Sequence, residues 1–352
     1  MSAEFRMVMI GAMYENGGNT THRFLDGHPE LFVYPFESQV GTMLVRDHLR
    51  SMFPVKYRWP VFSLTATPAE DYRAIIDEEC KVRARTPQVS KFRHFPFEFS
   101  DDDRRSHYEA HVARTGRSRG ANMAAFFQAT FEAWKDHRRS GREAVYVGYS
   151  PIITVDADKI LGDLPGAHVL HVVRNPWSAY ADTKKRPVPM SLASYMLGWT
   201  ITQQHALLYR ELFPGRVHIV RAEDVMADPH GTLGTLCQTL GLARAESLRA
   251  PSWNGTRLDE VYPWGTIRAP TPEANRATAN LLSPAERSEV RTRAGHYLDA
   301  FDYQRFITCG GDEARARHRR DGFRGRQSRP SPPADRARGP PARAARPHHV
   351  AN

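Results

Sequence analysis

Apolar residues recur along this chain in two rhythms: short continuous runs, and runs spaced three or four apart. Met7–Ile10 (MVMI) is a continuous run that enters Gly11, as a strand buried on both faces would. Ala144–Gly148 (AVYVG), His168–Val173 (HVLHVV) and Arg216–Val220 (RVHIV) repeat it. Ser150-Pro151 stops the first of these, Arg174-Asn175-Pro176 the second, and Pro214-Gly215 turns the chain into the third. Between them the spacing predicts helices over Thr20–Asp26, Asp156–Leu164, Trp177–Lys185, Leu192–Phe213 and Pro229–Leu240. Apolar strands alternating with helices predict an α/β fold, a parallel sheet flanked by helices on both faces.

A long segment of about 45–143 interrupts that alternation and reads as a helical insert. LVRDHLRSMF and AEDYRAIIDEECKVRA carry helical spacing. Ser100 can cap a helix through His111, and Asn122–Arg139 predicts another. On the last, Met123, Phe126, Phe127, Phe131 and Trp134 lie on or near one face, which reads as core packing. Arg83–Phe99, with Pro87 and Pro96, and residues 249–280 lack periodicity. Ser283 and Glu286 have the spacing of a capping box, opening a final helix to about Phe301. From residue 310 the composition turns to Arg, Pro, Ala and Gly, the signature of disorder, so the expected organisation is one α/β domain over 1–309 and a basic tail over 310–352.

That tail changes the meaning of the charge. The chain carries a formal +10, but residues 310–352 hold 11 Arg against 4 acidic residues, a net of +7, which leaves the body at +3. A mildly basic body suits an enzyme for an anionic ligand, and nucleic acid is not the expected partner; the tail reads as solvated. Cys80, Cys237 and Cys309 have neither metal nor redox spacing, and their odd number argues for a reducing compartment. The beginning shows no basic leader, and no stretch approaches the ~20 apolar residues of a membrane span, so a cytoplasmic location is expected.

The chemistry concentrates at two strand ends. After the first strand, Tyr14–Asn19 is polar and carries Gly17 and Gly18, and a helix follows. Loop amides and the first N–H groups of a helix converge on one spot, and glycines let a backbone approach an anion. Asn16, Gly17, Gly18, Asn19, Thr20 and Thr21 are therefore the candidate anion cradle. The loop lacks the lysine of the Gly-Lys-Ser/Thr ending and the G-x-G-x-x-G spacing, and a turn with glycines for geometry alone is the competing reading. At the second end Arg174 offers a planar donor fork where parallel sheets bind ligands. Thr183, Lys184, Lys185 and Arg186 follow on the next helix. Alternatively, Arg174 caps the strand end and the basic run is a solvated face.

Together the two units resemble the sulfotransferases that use 3′-phosphoadenosine 5′-phosphosulfate (PAPS). In that family an N-terminal strand–loop–helix holds the 5′-phosphosulfate, and a later strand ending in Arg-x-Pro, with the helix after it, holds the 3′-phosphate. Leu25-Asp26-Gly27-His28-Pro29-Glu30 resembles the family's first-helix ending, and Ile219–Val225 its later "Tyr-Glu-Asp-Leu" strand end. Pro263–Arg268 sits where the family closes a loop over the nucleotide, which implies roles for Gly265, Thr266 and Arg268. The resemblance covers roughly residues 5–305 and implies a P-loop-NTPase-like three-layer sandwich. Two departures stand out. Glu15 falls at the loop's usual basic residue unless the register shifts, and Asp182 falls at the expected 3′-site serine, with Thr183 beside it as the hydroxyl donor. Arg23, His22, Lys184 and Arg268 are candidates to balance transition-state charge.

The resemblance implies transfer of a sulfuryl group from PAPS to an acceptor hydroxyl on a carbohydrate, a phenol or tyrosine, or a lipid-linked glycan. Glu37 is the expected general base, since relatives place a catalytic glutamate after the first helix; partial burial by Tyr34, Phe36 and Tyr14 would raise its pKa. The alternative is a structural Glu37 that holds a loop arginine. No metal is expected, as no His/Asp/Glu set has ligand spacing. The competing function classes are a nucleotide-dependent kinase of related fold, which the missing loop lysine disfavours, and a non-catalytic nucleotide- or nucleic-acid-binding protein.

Overall fold

The computed structural model describes residues 4–307 apart from 66, 91, 259–260, 263–264 and 267–269. Its centre is a five-stranded sheet of β1 (Met7–Ala12), β2 (Leu31–Val33), β3 (Val145–Tyr149), β4 (Ala167–Val173) and β5 (Val217–Arg221). The order is β2-β3-β1-β4-β5, and every pairing is parallel. The fold is therefore α/β as the apolar runs predict. Because all strands run one way, the chain leaves β1, β2, β3 and β4 at the same edge. The order reverses around β1, where open α/β sheets form their ligand crevice.

Alternation along β1 builds two cores. Met7 and Met9 face one side with Phe126, Phe127, Ile153 and Ile160, and Val8 and Ile10 face the other with Phe24, Leu25, Leu233 and Leu236. The first core is covered by α5 (Arg119–Ala133) and α6 (Ala157–Asp163), the second by α1 (Gly18–Leu25) and α10 (Pro229–Thr239). The aromatic positions of α5 are buried, as core packing requires. The remaining helices are α2 (Pro68–Ala74), α3 (Glu78–Arg85), α4 (Asp101–Thr115), α7 (Pro176–Thr183), α8 (Leu192–Leu212), α9 (Ala222–Ala227), α11 (Pro272–Ala279), α12 (Pro284–Ala294) and α13 (Tyr297–Ala300). Two-residue strands β6 (Ser252–Trp253) and β7 (Thr256–Arg257) pair antiparallel, as do β8 (Val261–Tyr262) and β9 (Gly265–Thr266).

Two helical expectations are corrected. Residues 44–53 form turns rather than a helix. Asp47 is drawn to Arg58 by two hydrogen bonds of 3.0 and 2.7 Å, and Pro54 follows. The stretch 69–84 breaks into α2 and α3, with Asp77 at φ 38°. There the Ile76 and Asp77 amides bond Gly41 O and Gln39 O, and the buried Asp77 carboxylate receives Arg104 and the Tyr34 hydroxyl. Tertiary partners thus outbid helical propensity. Caps fared better. Ser100 accepts from Asp103 N at the start of α4, and Ser283 and Glu286 form a complete capping box at α12. The basic tail and Cys309 lie outside the described residues.

Candidate active site at the carboxyl edge of the sheet

The glycine loop, Met13–Gly17, leaves β1 at this edge. Gly17 has φ 85°, the left-handed region that glycine tolerates, and it precedes α1. The first helical bond runs from Thr21 N to Gly17 O (2.9 Å), so the amides of Gly18, Asn19 and Thr20 are those a helix leaves for an outside acceptor. Both glycines are also sterically required. A Cβ at Gly17 would come within 3.0 Å of the Ala222 Cβ, and one at Gly18 would run into the Tyr149 ring and the Ala12 Cβ. Asn19 and Thr20 are half-buried, and Thr21 is buried. Asn16 is a strut. Its Oδ1 accepts from Arg174 N (3.0 Å) and Trp199 Nε1 (3.2 Å), and its Nδ2 donates to Tyr14 O (2.8 Å) and the Tyr195 hydroxyl (3.0 Å). Its side chain thus fixes the loop to the end of β4 and to α8.

Glu15 takes a left-handed φ of 59°, and its carboxylate lies 3.7 Å from Arg186 Nε. Arg186 also stacks over the Tyr14 ring, 4.9 Å from its centre. This places Arg186 beside the loop, although it lies in the turn after α7, which ends at Thr183, and not on the helix itself.

Arg174 follows β4 and is nearly buried. Its Nε donates to Asn275 Oδ1 (2.8 Å), and its Nη1 donates to Glu15 O and to Asp182 Oδ2 (both 2.9 Å). The guanidinium therefore spans the two candidate anion sites. Of the pair at the end of α7, Asp182 is the residue that faces it. Thr183 is fully buried and donates to Ala179 O (3.0 Å), which corrects its expected place as the hydroxyl donor. Asn275 is held in turn by Glu223, which also accepts from Asn175 and Tyr303.

Glu37 emerges after β2, half-buried, where Ser38 N bonds Tyr149 O at the end of β3. The Glu37 amide donates to Glu79 Oε2 (3.2 Å), which puts a second carboxylate beside it. Tyr14 and Tyr57 meet edge to face at 6.1 Å. Burial pushes the Tyr14 hydroxyl up to about 12; Arg186 opposes this and Glu37 adds to it. Burial likewise raises Tyr57 and Tyr149, with Glu37 the next contributor to both. Glu37 thus shares one field with Tyr14, Tyr57 and Tyr149.

Three groups offered as charge balance are engaged elsewhere. Burial, and then the charge of Arg23, hold His22 far below the usual imidazole range; Arg23 is itself buried and donates to Tyr34 O (2.9 Å). Lys184 pairs with Glu286 at 2.7 Å. Gly265 and Thr266 lie in β9, of which only the backbone is described, and Arg268 lies outside the described residues. Among the described residues no group of three or more His, Cys, Asp or Glu is placed to hold a metal, and no helix is long and apolar enough to cross a membrane. Sequence reasoning missed Glu79, Asn275, Tyr195 and Trp199. Only Glu223, within the Ile219–Val225 motif, carried a signal.

The sequence model of the sulfotransferase family matches residues 9–246. No curated protein matches the chain. Among solved structures, the sulfotransferase domain of the Synechococcus PCC 7002 olefin synthase is similar with 17% identity and a TM-score of 0.43, covering 84% of this chain and 97% of that one. A sulfotransferase from Mycobacterium avium has 14% identity and a TM-score of 0.43, covering 86% and 78%. One from Alicyclobacillus acidocaldarius has 16% identity and a TM-score of 0.37, covering 86% and 99%. The family match takes in the glycine loop, Glu37, Arg174 and Glu223 alike, and on it this chain belongs to the sulfotransferase family.

Proposed function

We propose that the protein transfers a sulfuryl group from PAPS to an acceptor hydroxyl, with Glu37 as general base. The observation that carries this reading is the convergence of the glycine loop, Arg174 and Glu37 at one edge of a parallel sheet, within the residues that match the family. The amides of Gly18, Asn19 and Thr20, with the Asn19 and Thr20 side chains, receive the 5′-phosphosulfate. Arg174 and Arg186 supply positive charge towards the 3′-phosphate. The resemblance to the family assigns Gly265, Thr266 and Arg268 to the loop over the nucleotide. In the reaction the acceptor oxygen attacks sulfur in line while Glu37 takes its proton. The bond from sulfur to the bridging oxygen breaks, and the loop amides stabilise the charge left on the nucleotide phosphate. Tyr14 and Tyr57, which share the field of Glu37, line the side assigned to the acceptor, a sugar, a phenol or a lipid-linked glycan. No metal enters this scheme.

The test combines calorimetry and turnover. Adenosine 3′,5′-bisphosphate should bind the wild-type protein and bind Arg174→Ala more weakly. Glu37→Gln should keep that binding but lose about 10²- to 10⁴-fold in sulfuryl transfer across an acceptor panel. A wild-type protein that binds neither this nucleotide nor adenosine 5′-monophosphate overturns the proposal. A Glu37→Gln variant at full turnover removes the base from it.

A further inference from the structure

The stretch that leaves the sheet after Glu37 puts apolar side chains where a water-facing loop does not need them. Val45 N bonds Thr42 O (3.2 Å), which closes a turn whose two central residues are Met43 and Leu44. Turn centres ordinarily take Gly, Pro, Asn, Asp or Ser, yet these two are 61% and 41% exposed. The turn is anchored from beneath. Val45, Leu49 and Phe53 are buried, and Thr42 Oγ1 donates to Val61 O (2.7 Å) and accepts from Val61 N (3.2 Å). That pairing sets Val61 beside the turn. With Met52 and Leu64, five of the twelve large exposed apolar side chains among the described residues fall within 43–64, a concentration rather than a scatter. Leu197 of α8 is exposed as well, and a Cβ at its neighbour Gly198 would lie 3.4 Å from the Phe53 ring. The charge of the segment is one-sided. Between Ser38 and Ala69 the only acid is Asp47, and Arg58 (2.7 and 3.0 Å) and Lys159 (3.3 Å) take its carboxylate. Arg46 and Arg50 are exposed and have no acidic partner among the described residues.

We propose that this segment is a peripheral docking surface for an anionic lipid bilayer, with Met43 and Leu44 entering the boundary between headgroups and acyl chains and Arg46 and Arg50 meeting lipid phosphates. Neither signal suffices alone. Stable attachment at a lipid surface takes buried apolar area together with basic charge, and the segment carries both within a few residues. A protruding turn suits a bilayer, whose lipids move aside for it, whereas the core of a protein interface demands close-packed complementarity. The guanidinium forks match phosphate geometry, and the one carboxylate that would oppose an anionic surface is already neutralised. The surface adjoins the side assigned to the acceptor, since Tyr57, in the same segment, meets Tyr14 at 6.1 Å. The proposal concerns binding alone and stands apart from the chemistry proposed above.

The experiment sediments the full chain with phosphatidylcholine vesicles, with and without about one-third phosphatidylglycerol, at physiological salt. The wild type should bind the anionic vesicles about tenfold or more tighter than the neutral ones. Arg46→Glu combined with Arg50→Glu should weaken that binding by about tenfold or more, and Met43→Ser combined with Leu44→Ser by about fivefold or more. Depth is read separately. The indole introduced by Leu44→Trp should be quenched by lipids brominated on their acyl chains. The one introduced by Leu212→Trp, at the opposite end of α8 from Leu197 and 59% exposed in the native side chain, should not. The proposal is overturned if the wild type does not bind anionic vesicles, or if both double variants bind as the wild type does, which assigns the binding to the basic tail over 310–352. An unquenched Leu44→Trp on bound protein also overturns it, as does a surface that serves an acidic protein and leaves the vesicles alone. The substituted side chains are exposed, thermal melts confirm that each variant is folded, and the quenching arm does not depend on the double variants.

Discussion

Replacing Asn16 with alanine should destabilise the protein by several kcal/mol, because one side chain holds three parts of the candidate site. Asn16 is 1% exposed and makes four hydrogen bonds, to Arg174 N, Trp199 Nε1, Tyr14 O and the Tyr195 hydroxyl. Truncation orphans two of those partners outright, the Arg174 amide and the indole N–H of the buried Trp199. Tyr14 O keeps a donor, the Tyr195 hydroxyl at 3.1 Å. Each buried donor left unpaired costs about 1–3 kcal/mol, so the two together cost about 2–6 kcal/mol, a large part of a typical domain's stability. Asn16→Asp is the discriminating control. It keeps the acceptor for Arg174 and Trp199 but loses the amide donor and adds a charge near Glu15, so it should fall between wild type and alanine. Urea unfolding of the three proteins, read by tryptophan fluorescence, supplies the comparison. A loss below about 1 kcal/mol for Asn16→Ala would refute the strut argument and return Asn16 to the ligand-facing role the sequence suggests.

Two further outcomes follow from buried groups. His171 is fully buried, with Nδ1 taking the Thr154 hydroxyl (2.9 Å) and Nε2 donating to Gln203 Oε1 (2.7 Å); burial pushes its pKa down to about 4. Its folded value lies below the unfolded one near 6.5, so its contribution is complete above pH ~6.5 and is lost as pH falls towards ~4, by about 3 kcal/mol in all. Urea midpoints between pH 7 and 4.5 should drop less steeply in His171→Asn than in wild type; parallel slopes would contradict this. Gly18→Ala should cost about 1–3 kcal/mol, because the new methyl meets the Tyr149 ring and the Ala12 Cβ, outweighing the gain of up to ~1 kcal/mol that alanine brings inside a helix. A rise in melting temperature would show that the contact relaxes freely.

The parallel sheet was legible because its strands are continuous apolar runs, and such runs have few alternatives once turn residues bound them. Capped helices were legible for a similar reason: Ser100, Ser283 and Glu286 act within three residues of their targets. Residues 44–53 and the break at Asp77 were not legible. Arg58, Arg104, Gln39 and Gly41 decide them from elsewhere in the chain, and a helical periodicity is blind to such partners. The same division runs through the site. Glycine spacing and Arg174 stood out locally, whereas the choice between Asp182 and Thr183 depended on which side of α7 faces the guanidinium, a matter of one residue's rotation. Asn275 lies in a stretch without periodicity and became visible only through its bonds to Arg174 and Glu223.

The joint between the strand edge and the helices bears on how such a protein diversifies. Asp77 and Ile76 are bonded to Gln39 and Gly41, and Glu79 holds the Glu37 amide, while Tyr34, three residues before Glu37, shares Asp77 with Arg104. The stretch 34–41 and the helices α2 to α4 are one mechanical piece. Exchange of the helical segment between relatives must therefore take 34–41 with it. A graft cut at the end of β2 would leave Asp77 and Arg104 facing a foreign edge, and the Glu37 amide without its Glu79 partner.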